Sequence, residues 1–69
     1  MSKIRKFKVD EWVLYCPFPD SDFENLRNMQ NRSLVLYIRP ENDFYDYDIY
    51  IEKSEKIKKV REKNLSEIK

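Results

Sequence analysis

The chain has 69 residues, with 14 Lys or Arg against 13 Asp or Glu, which leaves a net charge of +1. This length predicts one domain, and 41% hydrophobic with 14% aromatic residues is too apolar a composition for a disordered tail. With no histidine and a single cysteine, an ordinary zinc site, histidine acid–base catalysis and an internal disulfide are excluded. No apolar run approaches the about 18 residues of a membrane span, and we expect no membrane association.

The chain begins with a basic segment. We predict that residues 1–8 form a basic arm and that residues 9–69 form the folded domain. The arm carries four cations and no acid: Lys3, Arg5, Lys6 and Lys8. Ile4 and Phe7 are the side chains expected to attach it to the domain. No hydrophobic stretch follows, so we expect no signal peptide, and the lone cysteine suits a reducing cytoplasm.

A first strand is predicted at residues 9–15, where Trp12 and Leu14 face opposite to the valine and tyrosine side chains. Pro17 and Pro19 end it, because proline cannot continue a central strand. Residues 18–31 are predicted to be an irregular loop with one helical turn, capped by Asp20 or Ser21. Three apolar side chains of this loop are expected to cover the core: Phe23, Leu26 and Met29.

A second strand is predicted at residues 32–39 by strict alternation. Leu34, Leu36 and Ile38 would face one way, and Val35, Tyr37 and Arg39 the other. Residues 40–43 form a turn in which Pro40 sets φ and Asn42 takes the left-handed region. Because the chain has no glycine, we expect positive φ angles on Asn or Asp.

The segment 44–61 is predicted to be a β-hairpin. Its first strand alternates four apolar residues with polar ones: Tyr45, Tyr47, Ile49 and Ile51. The return segment, residues 56–61, carries Ile57 and Val60 at positions of opposite parity. A β-bulge near Lys58 and Lys59 would let both face the core, Ile57 opposite Ile51 and Val60 opposite Ile49. The outer face would then pair Asp46 and Asp48 with Lys59 and Arg61.

An alternative for the last part of the chain is a helix over residues 52–69. Ser54 would be its N-cap, and four apolar residues fall within one broad arc: Ile57, Val60, Leu65 and Ile68. In the hairpin interpretation, residues 64–68 instead form a short helical turn and a last short strand.

Three stretches support a resemblance to a known fold: VDEWV at 9–13, SLV at 33–35 and VREKNLSEI at 60–68. With the order of the predicted elements, they resemble the SH3-like small barrels of KOW and Tudor type found in short phage-encoded proteins. The resemblance implies a mostly β fold, a single SH3-like barrel of about five strands with a short C-terminal helical turn. It also implies a binding role. The bias towards Lys, Ile and Asn indicates an AT-rich coding genome, such as that of many bacteriophages.

No residue pattern predicts catalysis. Cys16 has no histidine partner, so we expect a buried structural thiol. The acidic clusters at 20–24 and 41–52 lack EF-hand spacing and are expected to be solvated. We therefore expect no catalytic residue, metal or cofactor, and a non-enzymatic, cytoplasmic protein (in the host cytoplasm, if phage-encoded).

The favoured function is protein binding through an aromatic strip of Trp12, Tyr37 and Tyr50, in an accessory or assembly protein. The alternative is KOW-like binding of nucleic acid or a transcription complex by the basic arm and four cations: Lys56, Lys58, Lys59 and Arg61. Against it, the acids of the neighbouring strand would cancel much of the positive field. A third hypothesis is a homo-oligomer formed by pairing of open strand edges.

Overall fold

Five antiparallel strands form one sheet in the computed structural model, which describes residues 5–68. The strands are β1 (Trp12–Tyr15), β2 (Asn31–Ile38), β3 (Tyr47–Ile51), β4 (Lys56–Val60) and β5 (Leu65–Glu67). A one-turn helix, α1 (Glu24–Arg27), precedes β2, and a 3₁₀ turn (Glu62–Asn64) precedes β5. The strand order is β4-β3-β2-β1-β5.

The prediction of a mostly β domain with about five strands and a C-terminal helical turn is confirmed. Within the described residues no pairing joins β4 to β5, so the sheet is not closed into a barrel. The alternative helix over residues 52–69 is wrong, because that segment forms a turn, β4, the 3₁₀ turn and β5. Of the basic arm, residues 1–4 lie outside the described part of the chain, and Ile4 with them.

A β-bulge in β2 changes which side chains share a face. Val35 pairs with Ile49, but the next pair is Tyr37 with Asp48, so Leu36 is the additional residue. Ile38 therefore lies on the same face as Val35, whereas Tyr37 lies on the opposite face. The predicted strict alternation along this strand is wrong beyond Val35.

The β3–β4 hairpin has a regular register. Tyr50 pairs with Ile57 and Tyr47 pairs with Val60, so the bulge predicted near Lys58 and Lys59 is wrong. The parity conflict is resolved differently: Val60 is buried, and Ile57 points to the other face with 69% of its surface exposed. The predicted opposition of Asp48 and Lys59 is confirmed by this register.

The core lies on the inner face of the sheet. It contains nine mutually packed buried residues: Phe7, Val13, Tyr15, Val35, Tyr47, Ile49, Ile51, Val60 and Leu65. The Nζ of Lys58 lies 5.6 Å from the Tyr15 ring centroid, although two strands separate β4 from β1. The sheet therefore curves around this face. Burial raises the pKa of the Tyr47 hydroxyl, which accepts a hydrogen bond from the Phe7 amide at 3.2 Å.

A buried ion pair attaches the N-terminal segment to the sheet. Arg5 binds the carboxylate of Asp46 and donates to the carbonyl of Arg39 at 2.9 Å. The other carboxylate oxygen accepts from the Glu62 amide at 2.8 Å. Asp46 is 4% exposed, so its predicted place on a charge-paired outer face is wrong. Phe7 is fully buried beside this pair, as expected of a residue that attaches the segment.

The long loop is held by Cys16, which is buried, as predicted. Its thiol lies 3.2 Å from the Arg27 carbonyl oxygen, and its amide donates to the Asn64 carbonyl at 2.8 Å. Phe23 and Met29 are exposed and only Leu26 is half-buried, so the predicted cover over the core is wrong.

The α1 cap also differs from the prediction. Phe23 is the N-cap residue and makes no side-chain capping bond, so neither Asp20 nor Ser21 caps the helix. The Ser21 hydroxyl instead accepts from the Phe23 amide at 3.1 Å, one residue before the helix begins. The helix is four residues long, and the contact of the Cys16 thiol with the Arg27 carbonyl anchors it to the sheet without a side-chain cap.

Positive φ angles occur at Asp10 (70°) and Glu55 (56°) within residues 5–68. Asp10 agrees with the expectation for a chain without glycine, and it explains why β1 begins at Trp12 rather than at residue 9. Asn42 is not among them, although its turn is present, with the Asp43 amide donating to the Pro40 carbonyl. Glu55 was not expected, and a glutamate in this region carries steric strain.

We predict that replacing Asp46 by Asn will lower the free energy of unfolding by about 3–5 kcal/mol, because it leaves the Arg5 guanidinium buried without a counter-charge. Urea denaturation followed by Trp12 fluorescence measures the change. Asp48→Asn is the matched control; its pair with Arg39, with 21% and 24% of the side chains exposed, is better solvated and should contribute about 1 kcal/mol. If both variants lose the same free energy of unfolding, the Arg5–Asp46 pair does not stabilise the fold more than the Arg39–Asp48 pair does.

Replacing Glu55 by Gly should raise the free energy of unfolding by about 0.5–1 kcal/mol, because glycine adopts a φ of 56° without a clash at its β-carbon. Thermal denaturation of the wild type and the variant gives the difference. Glu55→Ala removes the same carboxylate but keeps the β-carbon, so it should give no such gain. A gain in the alanine variant would assign the effect to charge instead.

Candidate binding face

Four apolar side chains cross the outer face of the sheet in one continuous row. Trp12 on β1 pairs with Leu34 on β2, Leu34 pairs with Tyr50 on β3, and Tyr50 pairs with Ile57 on β4. Directly paired residues of antiparallel strands have their side chains on the same face, about 5 Å apart. We call these four residues the outer apolar row.

The structure brings the three predicted aromatic residues onto this one face. Trp12 and Tyr50 belong to the outer apolar row, and Tyr37 lies beside it, opposite Asp48 and diagonal to Tyr50. Trp12 is 38% exposed and Tyr37 is 52% exposed, while Tyr50 and Leu34 are half-buried. Tyr37 reaches this face only because of the bulge in β2.

Sequence reasoning missed two members of the row, Leu34 and Ile57. The predicted bulge places Ile57 in the core. Ile57 and Val60 are three residues apart, however, and in a regular strand such residues face opposite sides, which indicates that one of them points outwards. Leu34 was placed on a face with Ile38, from which the bulge separates it.

A charged pair flanks the Trp12 end of the row. The guanidinium carbon of Arg32 lies 4.6 Å from the Trp12 ring centroid, within the range of a cation–π contact. The Nε of Arg32 also lies 3.6 Å from an oxygen of Glu52, and both side chains are more than half exposed. Arg32 therefore covers one side of the indole while its charge stays accessible to a binding partner.

A second charged group flanks Tyr37. Arg39 donates to Asp48 at 2.7 Å and to Asp43 at 3.0 Å. The hydrogen bond from Arg39, with a second from the Tyr45 amide, lowers the pKa of the Asp43 carboxyl. The bonds to Asp43 and Asp48 raise the pKa of Arg39. This part of the face is thus fixed by bonds within the protein.

A shallow, open depression of about 410 Å³ lies at the β1–β5 side of the sheet. It is lined by Leu14, Gln30, Ser66, Glu67 and Ile68. Leu14 lies two residues after Trp12 on the same strand, so the depression adjoins the outer apolar row. Its lining is equally polar and apolar, which gives little preference for a ligand.

The four cations of the nucleic-acid alternative share one strand edge but not one face. Lys56 and Lys58 pair with Ile51 and Ile49 and thus lie on the inner-face side, whereas Lys59 lies on the outer face opposite Asp48. Lys58 lies against the Tyr15 ring. Arg61, beyond β4, lies 4.8 Å from the Phe44 ring centroid. Two of the four cations thus already contact aromatic rings of the domain.

Residues 5–68 lack both a metal-binding cluster and a membrane-spanning helix. No group of three or more His, Cys, Asp or Glu residues there could hold a metal ion. The same residues contain no helix that is long and apolar enough to span a membrane. Comparison with known protein-family models, with curated proteins and with solved structures gave no match.

We predict that Asp43 titrates below its ordinary pKa of 3.8 and that Arg39→Gln moves the value up towards 3.8. Because the folded-state pKa is depressed, the associated stability is present above the unfolded pKa and is lost as the pH falls through the folded value. The titration curve of Asp43 is obtained from the NMR chemical shift of its carboxyl carbon, followed from about pH 2 to about pH 6. Arg32→Gln, on the same face, should leave Asp43 unchanged; an unchanged Asp43 in Arg39→Gln would contradict the assignment.

Proposed function

We propose that this protein is a non-enzymatic interaction module that binds a protein partner through its outer apolar row. The observation that carries the proposal is the continuity of Trp12, Leu34, Tyr50 and Ile57 across four strands, on the face opposite the core. A single sheet of this size needs only one apolar face to fold. The second apolar face is therefore best explained by contact with a partner.

The residue types of the face support a protein partner. Trp, Tyr and Arg are the residues most enriched at the energetic centres of protein interfaces. Here Trp12 and Arg32 are already stacked, and Tyr50 is held between Leu34 and Ile57. The flanking pairs Arg32–Glu52 and Arg39–Asp48 present both signs of charge, which would orient a partner more than strengthen its binding.

An SH3-like architecture is part of the proposal. Its support is the strand order, in which β5 returns beside β1, and the 3₁₀ turn placed directly before the last strand. An accessory or assembly role in a phage-encoded protein is consistent with a small binding domain of this kind.

The second candidate function is nucleic-acid binding along β4. The observation in its favour is that Lys56, Lys58 and Lys59 are adjacent and exposed at one sheet edge, with Arg61 next to them. The opposition of Lys59 to Asp48 offsets part of the positive field, and Arg61 is engaged with the Phe44 ring. We therefore place it second.

The two functions are separated by capture from cell lysate on immobilised protein, with and without nuclease, at low and moderate salt. We expect a stoichiometric protein partner that survives both nuclease and moderate salt, because apolar contacts depend little on ionic strength. Tyr37→Ser and Ile57→Ser should each weaken that binding by about tenfold or more.

Phe23→Ser is the matched control, because Phe23 is exposed to the same degree as Ile57 (67% against 69%) but lies in the loop before α1. It should leave binding unchanged. Recovery of nucleic acid alone, lost at moderate salt, would favour the second function. A partner insensitive to both Tyr37→Ser and Ile57→Ser would exclude the outer apolar row, with Tyr37 beside it, as its site.

A further inference from the structure

The free edge of β4 is the second unusual feature of the surface. β4 is the last strand in the sheet order, and no strand within residues 5–68 pairs with its other side. The first four residues of β4 are all exposed, and only Val60 is buried. Such an edge leaves backbone N–H and C=O groups available to another strand.

The side chains of this edge carry a specific pattern. Lys56 and Lys58 lie towards one face, and Ile57 and Lys59 towards the other. Ile57 is the terminal member of the outer apolar row and is the most exposed large apolar side chain described. The row thus stops at an edge where one further strand would cover its last residue.

We propose that β4 accepts an acidic, extended segment of a partner protein as a sixth strand, an inference that rests on the proposed interaction function. The partner residue opposite Ile57 is apolar and continues the outer apolar row. The partner residues opposite Lys56 and Lys58 are acidic and lie on the other face. Backbone hydrogen bonds supply affinity, and this acidic–apolar–acidic pattern supplies specificity.

Charge selects this occupant over a second copy of the chain. Pairing of β4 with β4 of another copy brings lysines opposite lysines, which is unfavourable. The opposite edge, β5, has three residues and a single acid, Glu67, so it matches the lysines of β4 poorly. A nucleic-acid backbone is also a poorer match, because the cations alternate between two faces with Ile57 between them.

The test uses the full-length protein and a labelled peptide of alternating glutamate and valine residues. We expect saturable binding, with the largest amide shifts in NMR spectra at residues 56–60 and slower hydrogen exchange at alternate β4 amides. Lys56→Glu should weaken binding by about five- to tenfold. Lys8→Glu changes the net charge equally at an exposed position outside β4, and it should have no such effect.

Two further peptides make the outcome decisive. A glutamate–valine peptide with alternate backbone nitrogens methylated keeps the charge but cannot complete the ladder, and it should not bind. A lysine–valine peptide should not bind either. Equal binding of the methylated peptide, shifts centred away from β4, or self-association through β4 in the absence of peptide would each overturn strand addition.

Failure of this inference is distinguishable from failure of the proposed function. If the acidic peptide does not bind, yet a captured protein still depends on Tyr37 and Ile57, strand addition is excluded and binding through the outer apolar row stands. If the peptide binds β4 but Tyr37→Ser and Ile57→Ser leave capture unchanged, strand addition to β4 stands, and the outer apolar row is excluded as the site of the captured partner.

Discussion

The buried ion pair between Arg5 and Asp46 is the constraint on which the rest of the fold depends. Two charges removed from water are costly unless every remaining hydrogen-bonding group finds a partner. Here the guanidinium also reaches the Arg39 carbonyl, and the carboxylate also accepts from the Glu62 amide. One carboxylate thereby joins the N-terminal segment, the start of β3 and the 3₁₀ turn. With these three segments fixed, Phe7 is placed in the core and β5 is led back beside β1.

Because the core fills the inner face, side chains that do not serve the core can accumulate on the outer face without loss of stability. The bulge at Leu36 then decides which residues gather there. Without it, Tyr37 would point to the same side as Val35, into the core. With it, Tyr37 lies beside Tyr50, and Ile38 takes the inner position. A single additional residue thus affects both faces, since it places Ile38 against the core and adds an aromatic side chain to the outer face.

Local patterns were sufficient to find the strands but not their long-range relations. Alternation of Tyr47, Ile49 and Ile51 predicted β3 and its buried face, because side-chain period is a local property. The place of Asp46 was missed, because its partner Arg5 lies 41 residues away and no periodicity links them. Trp12, Tyr37 and Tyr50, predicted as one aromatic strip, lie on the same face of the sheet. Their neighbours Leu34 and Ile57 were not predicted to lie there, because a bulge and an open edge depend on pairing.

The lysines of β4 have two compatible consequences. On an edge strand they oppose pairing with an identical strand, which is how natural sheets avoid aggregation. The same charges favour a strand of opposite sign, so the proposed selection of an acidic partner would use the residues that oppose self-association. Ile57 is the feature that protection alone does not explain, since an exposed isoleucine at a free edge invites aggregation. Ile57 lies at the end of the outer apolar row, so a strand added to β4 would cover its side chain and continue the row. Strand addition therefore accounts for an exposed isoleucine at this edge.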